Sequence, residues 1–222
     1  MLALFFYLAC MSIKVYEIFH SLQGETSRVG LPTTFVRLTG CPMRCSYCDT
    51  AYAFSGGANM EVSEILEKVA SSNTRYVTVT GGEPLAQKEC HVLLKALCDA
   101  GYSVSLETGG AIDIAPVDKR VSVILDIKTP DSLEEKNYLW SNLAHVKSSD
   151  EIKFVICSRA DYDWAKGKLE EYKLSDKCPV LFSPSYQTLN AADLAQWVLD
   201  DGLNVRMQVQ LHKILWGEKS GV

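Results

Sequence analysis

Apolar residues recur along the chain in two patterns that alternate, and together they predict strands separated by helices. Short runs of β-branched and aromatic residues predict strands, because such side chains pack well on a pleated surface. The predicted strands cover residues 15–19, 33–39, 76–80, 103–106, 121–125, 152–156, 180–182 and 204–209. Apolar residues spaced by three or four positions predict helices over residues 62–69, 93–98, 132–145, 162–172 and 190–201.

Alternation of apolar strands with helices predicts a parallel sheet with crossover helices. The most unusual sequences, CPMRCSYC, TGGEP, ETGG, DIKTP and SPS, each follow a strand directly. In a parallel barrel the carboxyl ends of the strands share one rim, where active sites are built. About six parallel strands are too few to close an eight-stranded barrel. We therefore expect an α/β fold with a partial, open parallel β/α barrel, and a doubly wound open sheet is the alternative.

The composition sets the domain count and argues against a membrane partner. The chain has 222 residues, of which 47% are hydrophobic, so it can bury one substantial core. We expect residues 1–10 to be an N-terminal extension upstream of a start at Met11, and residues 11–222 to form a single domain. The extension MLALFFYLAC is apolar, but it is too short to cross a bilayer and lacks the basic start of a signal peptide.

The charge and the cysteine content indicate which binding partners and which cellular compartment to expect. The chain has 22 basic and 27 acidic residues, a net charge of -5, and contains no basic run. A duplex or tRNA surface needs clustered lysine and arginine, so we expect no nucleic-acid partner. Five of the eight cysteines are scattered, and several fall in apolar segments. Buried free thiols are typical of a reducing compartment, which favours a cytoplasmic location.

The other three cysteines, Cys41, Cys45 and Cys48, have the spacing C-x3-C-x2-C. Three thiolates so close in sequence can surround one face of a metal centre and leave one coordination position open. Structural zinc sites are usually closed by four ligands, and iron–sulfur cubanes are normally held by four cysteines. The spacing therefore favours a cubane with one iron open to a small molecule. The alternatives are chance clustering or a zinc site whose fourth ligand comes from His20, Cys90 or His91.

The residues around these cysteines add a resemblance to a known superfamily. Tyr47 lies between the last two cysteines, and Asp49 and Thr50 follow Cys48. The run GCPMRCSYCDT resembles the cluster-binding loop of the radical S-adenosylmethionine (SAM) superfamily. The later sequence GGEP at residues 81–84 resembles the superfamily segment that contacts the methionyl amino group of SAM.

Further motifs resemble one family within that superfamily. LQGE at residues 22–25, Arg37, Thr50 and QLHK at residues 210–213 occur in the order found in 7-carboxy-7-deazaguanine synthases. These enzymes contract a pterin ring on the path to queuosine and other deazapurines. The family often has glycine at the position of Thr26, so we expect the loop to bend differently there. The resemblance covers the chain from Ile13 onward.

This resemblance implies the cofactors, the reaction and the partners. The cofactors are a 4Fe–4S cluster, SAM and Mg²⁺. The reduced cluster cleaves SAM, and the 5′-deoxyadenosyl radical takes a hydrogen from C6 of 6-carboxy-5,6,7,8-tetrahydropterin. The ring then contracts, ammonia leaves and SAM is regenerated. The resemblance also implies a homodimer and an electron donor such as a flavodoxin or a ferredoxin.

The resemblance also assigns roles to individual residues. The cluster ligands are Cys41, Cys45 and Cys48, and the Mg²⁺ ligand is Thr50. Residues implied at the SAM site are Tyr47, Cys48, Asp49, Gly82, Glu83, Glu107, Asp126, Ile127, Lys128 and Ser183. Residues implied at the substrate site are Leu22, Gln23, Gly24, Arg37 and Thr80.

Plainer interpretations stand beside these roles. Arg37 is alternatively half of a structural ion pair, and Asp126 and Lys128, on one side of their strand, alternatively pair with each other. Glu107 alternatively caps the turn that follows it, and Ser183 alternatively forms only a turn. The segment with His212 and Lys213 is alternatively a solvated tail. Competing functions are a glycyl-radical activase, which uses the same cysteine spacing, and a zinc-binding structural module.

Overall fold

A single nine-stranded sheet runs through the computed structural model, which describes residues 11–219 and 221–222. The strands are β1 (Ser12–Leu22), β2 (Pro32–Leu38), β3 (Ala58–Glu61), β4 (Tyr76–Gly81), β5 (Ser103–Thr108), β6 (Ser122–Ile127), β7 (Glu151–Ile156), β8 (Val180–Pro184) and β9 (Arg206–Met207). β1 pairs antiparallel with β2 and with β3. The other neighbouring pairs are all parallel: β2–β4, β4–β5, β5–β6, β6–β7, β7–β8 and β8–β9. The predicted extension, residues 1–10, lies outside the described residues.

The strand order explains why this sheet can curve into a partial barrel. Across the sheet the order is β3-β1-β2-β4-β5-β6-β7-β8-β9. Each parallel strand after β2 is therefore added on the same side of the one before it. Right-handed crossovers that all travel in one direction place their helices on one face of the sheet. A doubly wound sheet reverses direction and carries helices on both faces. The predicted open α/β barrel is therefore confirmed, and the doubly wound alternative is wrong.

Alternation along the strands separates an apolar outer face from a polar inner face. The helices are α1 (Val62–Ser71), α2 (Cys90–Asp99), α3 (Arg159–Glu171), α4 (Ala191–Asp200) and α5 (Leu211–Trp216). The first four pack on strand residues that are almost fully buried, such as Leu38, Val79, Leu106, Leu125 and Phe154. The strand residues between these point to the opposite face. That inner face carries Arg37, Thr80, Glu107, Asp126 and Lys153. Within the described ranges, none of the helices is both long and apolar enough to cross a membrane.

The predicted helix over residues 132–145 is wrong. This segment forms three short 3-10 turns, Pro130–Ser132, Glu135–Asn137 and Trp140–Ala144. Its side chains instead contact other segments of the chain, among them the loop after β5. The Asn142 side-chain amide donates to the carbonyls of Gly110 and Ile112, and Trp140 stacks on Tyr172 with ring centroids 4.6 Å apart. Tertiary contacts therefore override the local helical pattern.

Two strands also differ from the sequence prediction. β3 was not predicted, because its residues Ala58–Glu61 are polar or exposed and show no buried alternation. It forms by pairing with the edge of β1. The predicted last strand, residues 204–209, shortens to Arg206–Met207 at the other edge of the sheet.

Candidate active site

A cavity of about 480 Å³ opens where the parallel strands end, within the size range of ordinary ligand sites. It brings together most of the residues that the sequence assigned to cluster, SAM, Mg²⁺ or substrate. These are Leu22, Gln23, Arg37, Cys41, Cys45, Tyr47, Cys48, Asp49, Thr50, Thr80, Gly82, Glu107, Asp126, Lys128 and Ser183. Most of them come from the carboxyl ends of β2, β4, β5, β6 and β8 or from the loop after β2, so their convergence follows from the parallel topology. Leu22 and Gln23 instead come from the end of the antiparallel strand β1.

Three predicted site residues do not line this cavity. Ile127 is fully buried among the apolar residues of the outer face. Gly24 lies against His212, and a Cβ atom added to Gly24 would come within 2.0 Å of the ring nitrogen Nδ1. Glu83 is fully buried behind the wall of the cavity. The side chains of Ile127 and Glu83 therefore do not reach a ligand in this cavity, and Gly24 has no side chain to do so.

Glu83 holds the neighbouring strand end in place. Its carboxylate accepts hydrogen bonds from the Thr108 hydroxyl at 2.8 Å and from the Gly109 amide at 2.8 Å. It also accepts from the Leu85 amide at 3.1 Å. Burial raises the pKa of Glu83, and these donors work against that shift. The side chain therefore fixes the turn after β5, which does line the cavity.

The cysteine loop is fixed from two sides. On one side the Glu83 amide donates to the Gly40 carbonyl at 2.8 Å, and a Cβ added to Gly82 would lie 2.0 Å from that carbonyl oxygen. Only glycine fits this approach. On the other side the Ser46 amide donates to the Ser132 carbonyl at 3.1 Å, and the Arg44 amide donates to a Glu134 carboxylate oxygen at 2.6 Å. The turns that replace the predicted helix thus hold this loop.

The donor set on the cavity fits a cluster with one open iron better than a closed zinc site. The thiols of Cys41, Cys45 and Cys48 are free and partly exposed to the cavity. The proposed fourth zinc ligands lie elsewhere: none of His20, Cys90 and His91 lines the cavity. Among the described residues, no three cysteine, histidine, aspartate or glutamate side chains converge as one metal ion would require. In a cubane each thiolate binds its own iron, so wider spacing is expected.

Burial affects the protonation of two of the three thiols. It raises the pKa of Cys41, and it raises the pKa of Cys45 to about 11. These two thiols therefore keep their protons at neutral pH until a metal displaces them. An iron centre bound here would supply the positive charge that stabilises the thiolates.

A chain of alternating charges crosses the inner face of the sheet. Lys153 Nζ lies 2.8 Å from Glu25 Oε2 and 3.4 Å from Asp126 Oδ2. Lys128 Nζ lies 3.0 Å from the same Asp126 oxygen, so the predicted Asp126–Lys128 pair is present and both residues line the cavity. Burial alone would raise the pKa of Asp126, but Lys128 and Lys153 overcome it and hold this pKa below its usual value. Asp126 therefore remains charged.

Glu107 has no such compensation. Its carboxylate accepts from the Thr80 hydroxyl at 3.0 Å and from the Gln23 side-chain amide at 3.4 Å, and no described cation forms an ion pair with it. Burial raises the pKa of Glu107, although Lys153 opposes this shift from a distance. The side chain faces the cavity instead of capping only its own turn. Asp126 has two lysines within ion-pair distance, whereas Glu107 has no such partner among the described residues.

Arg37 is both an ion-pair partner and a cavity residue. Its Nε donates to Glu17 Oε1 at 2.8 Å, as the structural interpretation expects. Its guanidinium nevertheless lines the cavity beside Phe19 and Phe35. The two interpretations of Arg37 are therefore compatible.

The C-terminal segment is part of the site, so its interpretation as a solvated tail is wrong. His212 and Lys213 both line the cavity, and the side chain of Lys213 is only 11% exposed. Lys213 Nζ lies 3.8 Å from Asp49 Oδ2 and 5.6 Å from the ring centre of Tyr186. The helix α5 thus closes one side of the cavity next to the cysteine loop.

Sequence reasoning missed Glu25 and Lys153 as site residues. The signal for Lys153 was a lysine within the mostly apolar strand EIKFVI, on the face that also carries Glu151 and Val155. Its partner could not be identified, because Glu25 is 128 residues away in sequence. Tyr186 carried no signal beyond its place near Ser183.

Comparison with known proteins identifies the family. A sequence profile of the radical SAM superfamily matches residues 35–173. A 7-carboxy-7-deazaguanine synthase of Chlorobaculum tepidum is 44% identical over 207 residues, which cover 92% of this chain and 94% of the relative. The chain belongs to the 7-carboxy-7-deazaguanine synthase family of radical SAM enzymes. A second synthase, from Koribacter versatilis, is 40% identical and is covered to 97%.

A solved structure agrees with this family at the level of the fold. The crystal structure of QueE from Escherichia coli superposes with a TM-score of 0.77 and covers 94% of this chain and 98% of that one. The sequence identity is 21%, so this likeness shows the fold alone. Membership of the deazaguanine synthase family also decides against the glycyl-radical activase alternative.

The first testable prediction concerns the cysteine loop. We expect Cys45→Ala to lose bound iron and sulfide after anaerobic reconstitution, because only two of the three cluster thiolates remain. Cys98→Ala, in the partly exposed thiol on α2, should keep both. Iron and sulfide analysis with electron paramagnetic resonance of the reduced protein measures the outcome. Zinc bound without sulfide in the unaltered protein would contradict the cluster assignment.

The second prediction concerns the opposite pKa shifts of two carboxylates. The raised pKa of Glu107 means that the folded state favours its acid form, so Glu107 costs stability as the pH rises above the ordinary value of 4.5. Glu107→Gln removes this cost. We expect its melting temperature, relative to the unaltered protein, to be higher at about pH 8 than at about pH 5.

Asp126→Asn is the matched control for Glu107→Gln, with the opposite sign. The pKa of Asp126 is lowered, so its stabilising contribution is present at neutral pH and is lost as the pH falls. Asp126→Asn should therefore lower the melting temperature more at about pH 8 than at acidic pH. Equal pH profiles for the two variants would show that the electrostatic account of this wall is wrong.

Proposed function

We propose that this protein is a 7-carboxy-7-deazaguanine synthase that converts 6-carboxy-5,6,7,8-tetrahydropterin to 7-carboxy-7-deazaguanine with loss of ammonia. The observation that carries the proposal is one cavity with three free thiols and a partly free guanidinium, in a chain 44% identical to a synthase of that name. A radical generated from SAM beside the cysteine loop and a carboxylate held at Arg37 would then share one cavity.

The cysteine side of the cavity would hold the cofactors. Cys41, Cys45 and Cys48 would bind three irons of a 4Fe–4S cluster and leave the fourth for the amino and carboxylate groups of SAM. When bound and reduced, the cluster supplies the electron that cleaves SAM to methionine and a 5′-deoxyadenosyl radical. Thr50 and Asp49 offer hydroxyl and carboxylate oxygens, the donors that Mg²⁺ prefers, and Thr50 would be its protein ligand.

The strand ends would form the SAM wall. Asp126, Glu107 and Ser183 present acceptors, and the ring of Tyr47 lies 5.7 Å from Lys128 Nζ. Gly82 permits close approach of the backbone to the cysteine loop. Glu83 would act on this wall by fixing Thr108 and Gly109, and Ile127 by packing beneath it.

The opposite side of the cavity would hold the pterin. Gln23 and Thr80 offer an amide and a hydroxyl beside the apolar side chain of Leu22, and Gly24 lets the loop pass under His212. Arg37 would bind the substrate carboxylate, since a guanidinium presents paired N–H donors at the spacing of carboxylate oxygens.

The remaining features of the proposal concern the protein as a whole. Residues 11–222 would act as one radical SAM domain, in the cytoplasm and as a homodimer. A flavodoxin or a ferredoxin would supply the electron. The family resemblance and the charge and cysteine pattern of the chain support these features.

Anaerobic reconstitution tests the proposed reaction. The protein with iron and sulfide is mixed with reductant, SAM, Mg²⁺ and carboxytetrahydropterin, and ammonia and the absorbance of a deazapurine are followed. We expect both products to form, with SAM used catalytically, because the family regenerates it. SAM cleavage without any consumption of the pterin would contradict the proposal.

Arg37→Ala tests the substrate end separately. We expect it to keep the cluster and the slow cleavage of SAM without substrate. KM for 6-carboxy-5,6,7,8-tetrahydropterin should rise about 10- to 100-fold, the loss typical of hydrogen bonds to charged groups. Arg120→Ala is the control, because Arg120 pairs with Asp99 and Asp118 on the surface. Normal turnover by Arg37→Ala at low substrate concentration would exclude Arg37 from carboxylate binding.

A further inference from the structure

An irregularity in β1 places a second charged residue beside Arg37. The pairing of β1 with β2 shifts register between Val15 and Glu17, so that Glu17 lies opposite Arg37. Such a bulge inserts an extra residue and re-aims the side chains that follow. Val15 is a core residue, and regular alternation would place Glu17, two positions later, on the same core face. The bulge instead turns Glu17 toward the space that Arg37 faces.

Glu17 and a residue after the cysteine loop hold Arg37 together. Arg37 Nε donates to Glu17 Oε1 at 2.8 Å, and the Tyr52 hydroxyl donates to the same oxygen at 3.0 Å. The ring centres of Phe19 and Tyr52 lie 5.7 Å and 5.8 Å from the guanidinium carbon. The side chains of Arg37 and Glu17 are 13% and 21% exposed. The guanidinium is therefore fixed at one end and flanked by two rings.

These contacts leave one edge of the guanidinium for a ligand. The guanidinium has five N–H groups. Nε donates to the Glu17 carboxylate, and Nη1 donates to the Gly81 carbonyl at 3.4 Å. Nη2 makes no hydrogen bond to any residue that the structure describes. With Nε occupied by Glu17, the terminal Nη1–Nη2 edge is the one left to bind a carboxylate with two parallel hydrogen bonds.

We propose that Glu17 and Tyr52 are positioning residues that orient the guanidinium of Arg37 so that its terminal edge captures the carboxylate of the pterin. This inference rests on the proposed function and names further residues that select the substrate. Glu17 occupies Nε and removes the competing side edge of the guanidinium. Tyr52 in turn fixes the Glu17 carboxylate and links it to the turn Ala51–Phe54 that follows the cysteine loop.

The Tyr52 hydroxyl contributes through its hydrogen bond. It donates to the same Glu17 oxygen that accepts from Arg37 Nε. Without that donor the Glu17 carboxylate would be free to rotate about its side chain, and Arg37 would move with it.

Binding of two stable pterins separates positioning from general structure. Isothermal titration of the holoenzyme with SAM compares 6-carboxypterin with pterin, which lacks the carboxylate. We expect Glu17→Ala to weaken 6-carboxypterin binding about tenfold or more and to leave pterin binding unchanged. Glu17→Gln should bind 6-carboxypterin nearly normally, because its amide oxygen still accepts from Nε. Tyr52→Phe should give a smaller loss, again confined to 6-carboxypterin.

A double-mutant cycle tests the route through Arg37. In an Arg37→Ala background, Glu17→Ala should cause no further loss, because its effect passes through the guanidinium. Equal weakening of both pterins, or unchanged 6-carboxypterin binding in Glu17→Ala and Tyr52→Phe, would overturn the positioning role and leave the proposed function standing. If the unaltered holoenzyme binds neither pterin, the proposed function fails, and this inference fails with it.

Discussion

The buried chain of charges from Glu25 through Lys153 and Asp126 to Lys128 is the interaction on which the site depends. Each charge lies within 3.4 Å of one of opposite sign. Removal of one member would leave an uncompensated charge inside the sheet, which is far more costly than loss of the attraction alone. Because its members come from the loop after β1, from β7 and from the end of β6, the chain ties the predicted substrate side of the cavity to the predicted SAM side.

The sequence predicted the architecture well because the architecture follows from local patterns. Apolar strands with intervening helices required a parallel sheet, and motifs after strands had to meet at one rim. What the sequence could not supply was pairing between distant segments. Lys153 faces Asp126 because the parallel register aligns these two residues, and Glu17 faces Arg37 because β1 has a bulge. The helix predicted over residues 132–145 failed for the same reason, since Asn142 and Trp140 respond to loops elsewhere in the chain.

The open side of the barrel is closed by a loop instead of a strand. The amide of Thr26 donates to the Gln208 side chain at 2.8 Å, and the Leu211 amide donates to the Gly24 carbonyl at 2.9 Å. The loop after β1 therefore reaches the segment beyond β9 at the other edge of the sheet. Thr26 adopts φ +69°, a conformation that glycine takes freely and that costs a β-branched residue about 1–2 kcal/mol. The hydrogen bond to Gln208 and nearly complete burial hold Thr26 in this conformation.

Two carboxylates on neighbouring strands give the cavity wall two different electrostatic properties. Asp126 is kept ionised by Lys128 and Lys153, and its Oδ1 atom has no hydrogen-bond partner among the described residues. It therefore offers a ligand an acceptor whose charge is already balanced. Burial raises the pKa of Glu107, because no described cation forms an ion pair with it and the hydrogen bond from Thr80 offsets the shift only in part. A cationic or hydrogen-bond-donating ligand would stabilise the charged form of Glu107, whereas it would change the ionisation of Asp126 little. The two carboxylates on this wall would therefore respond differently to a bound cation.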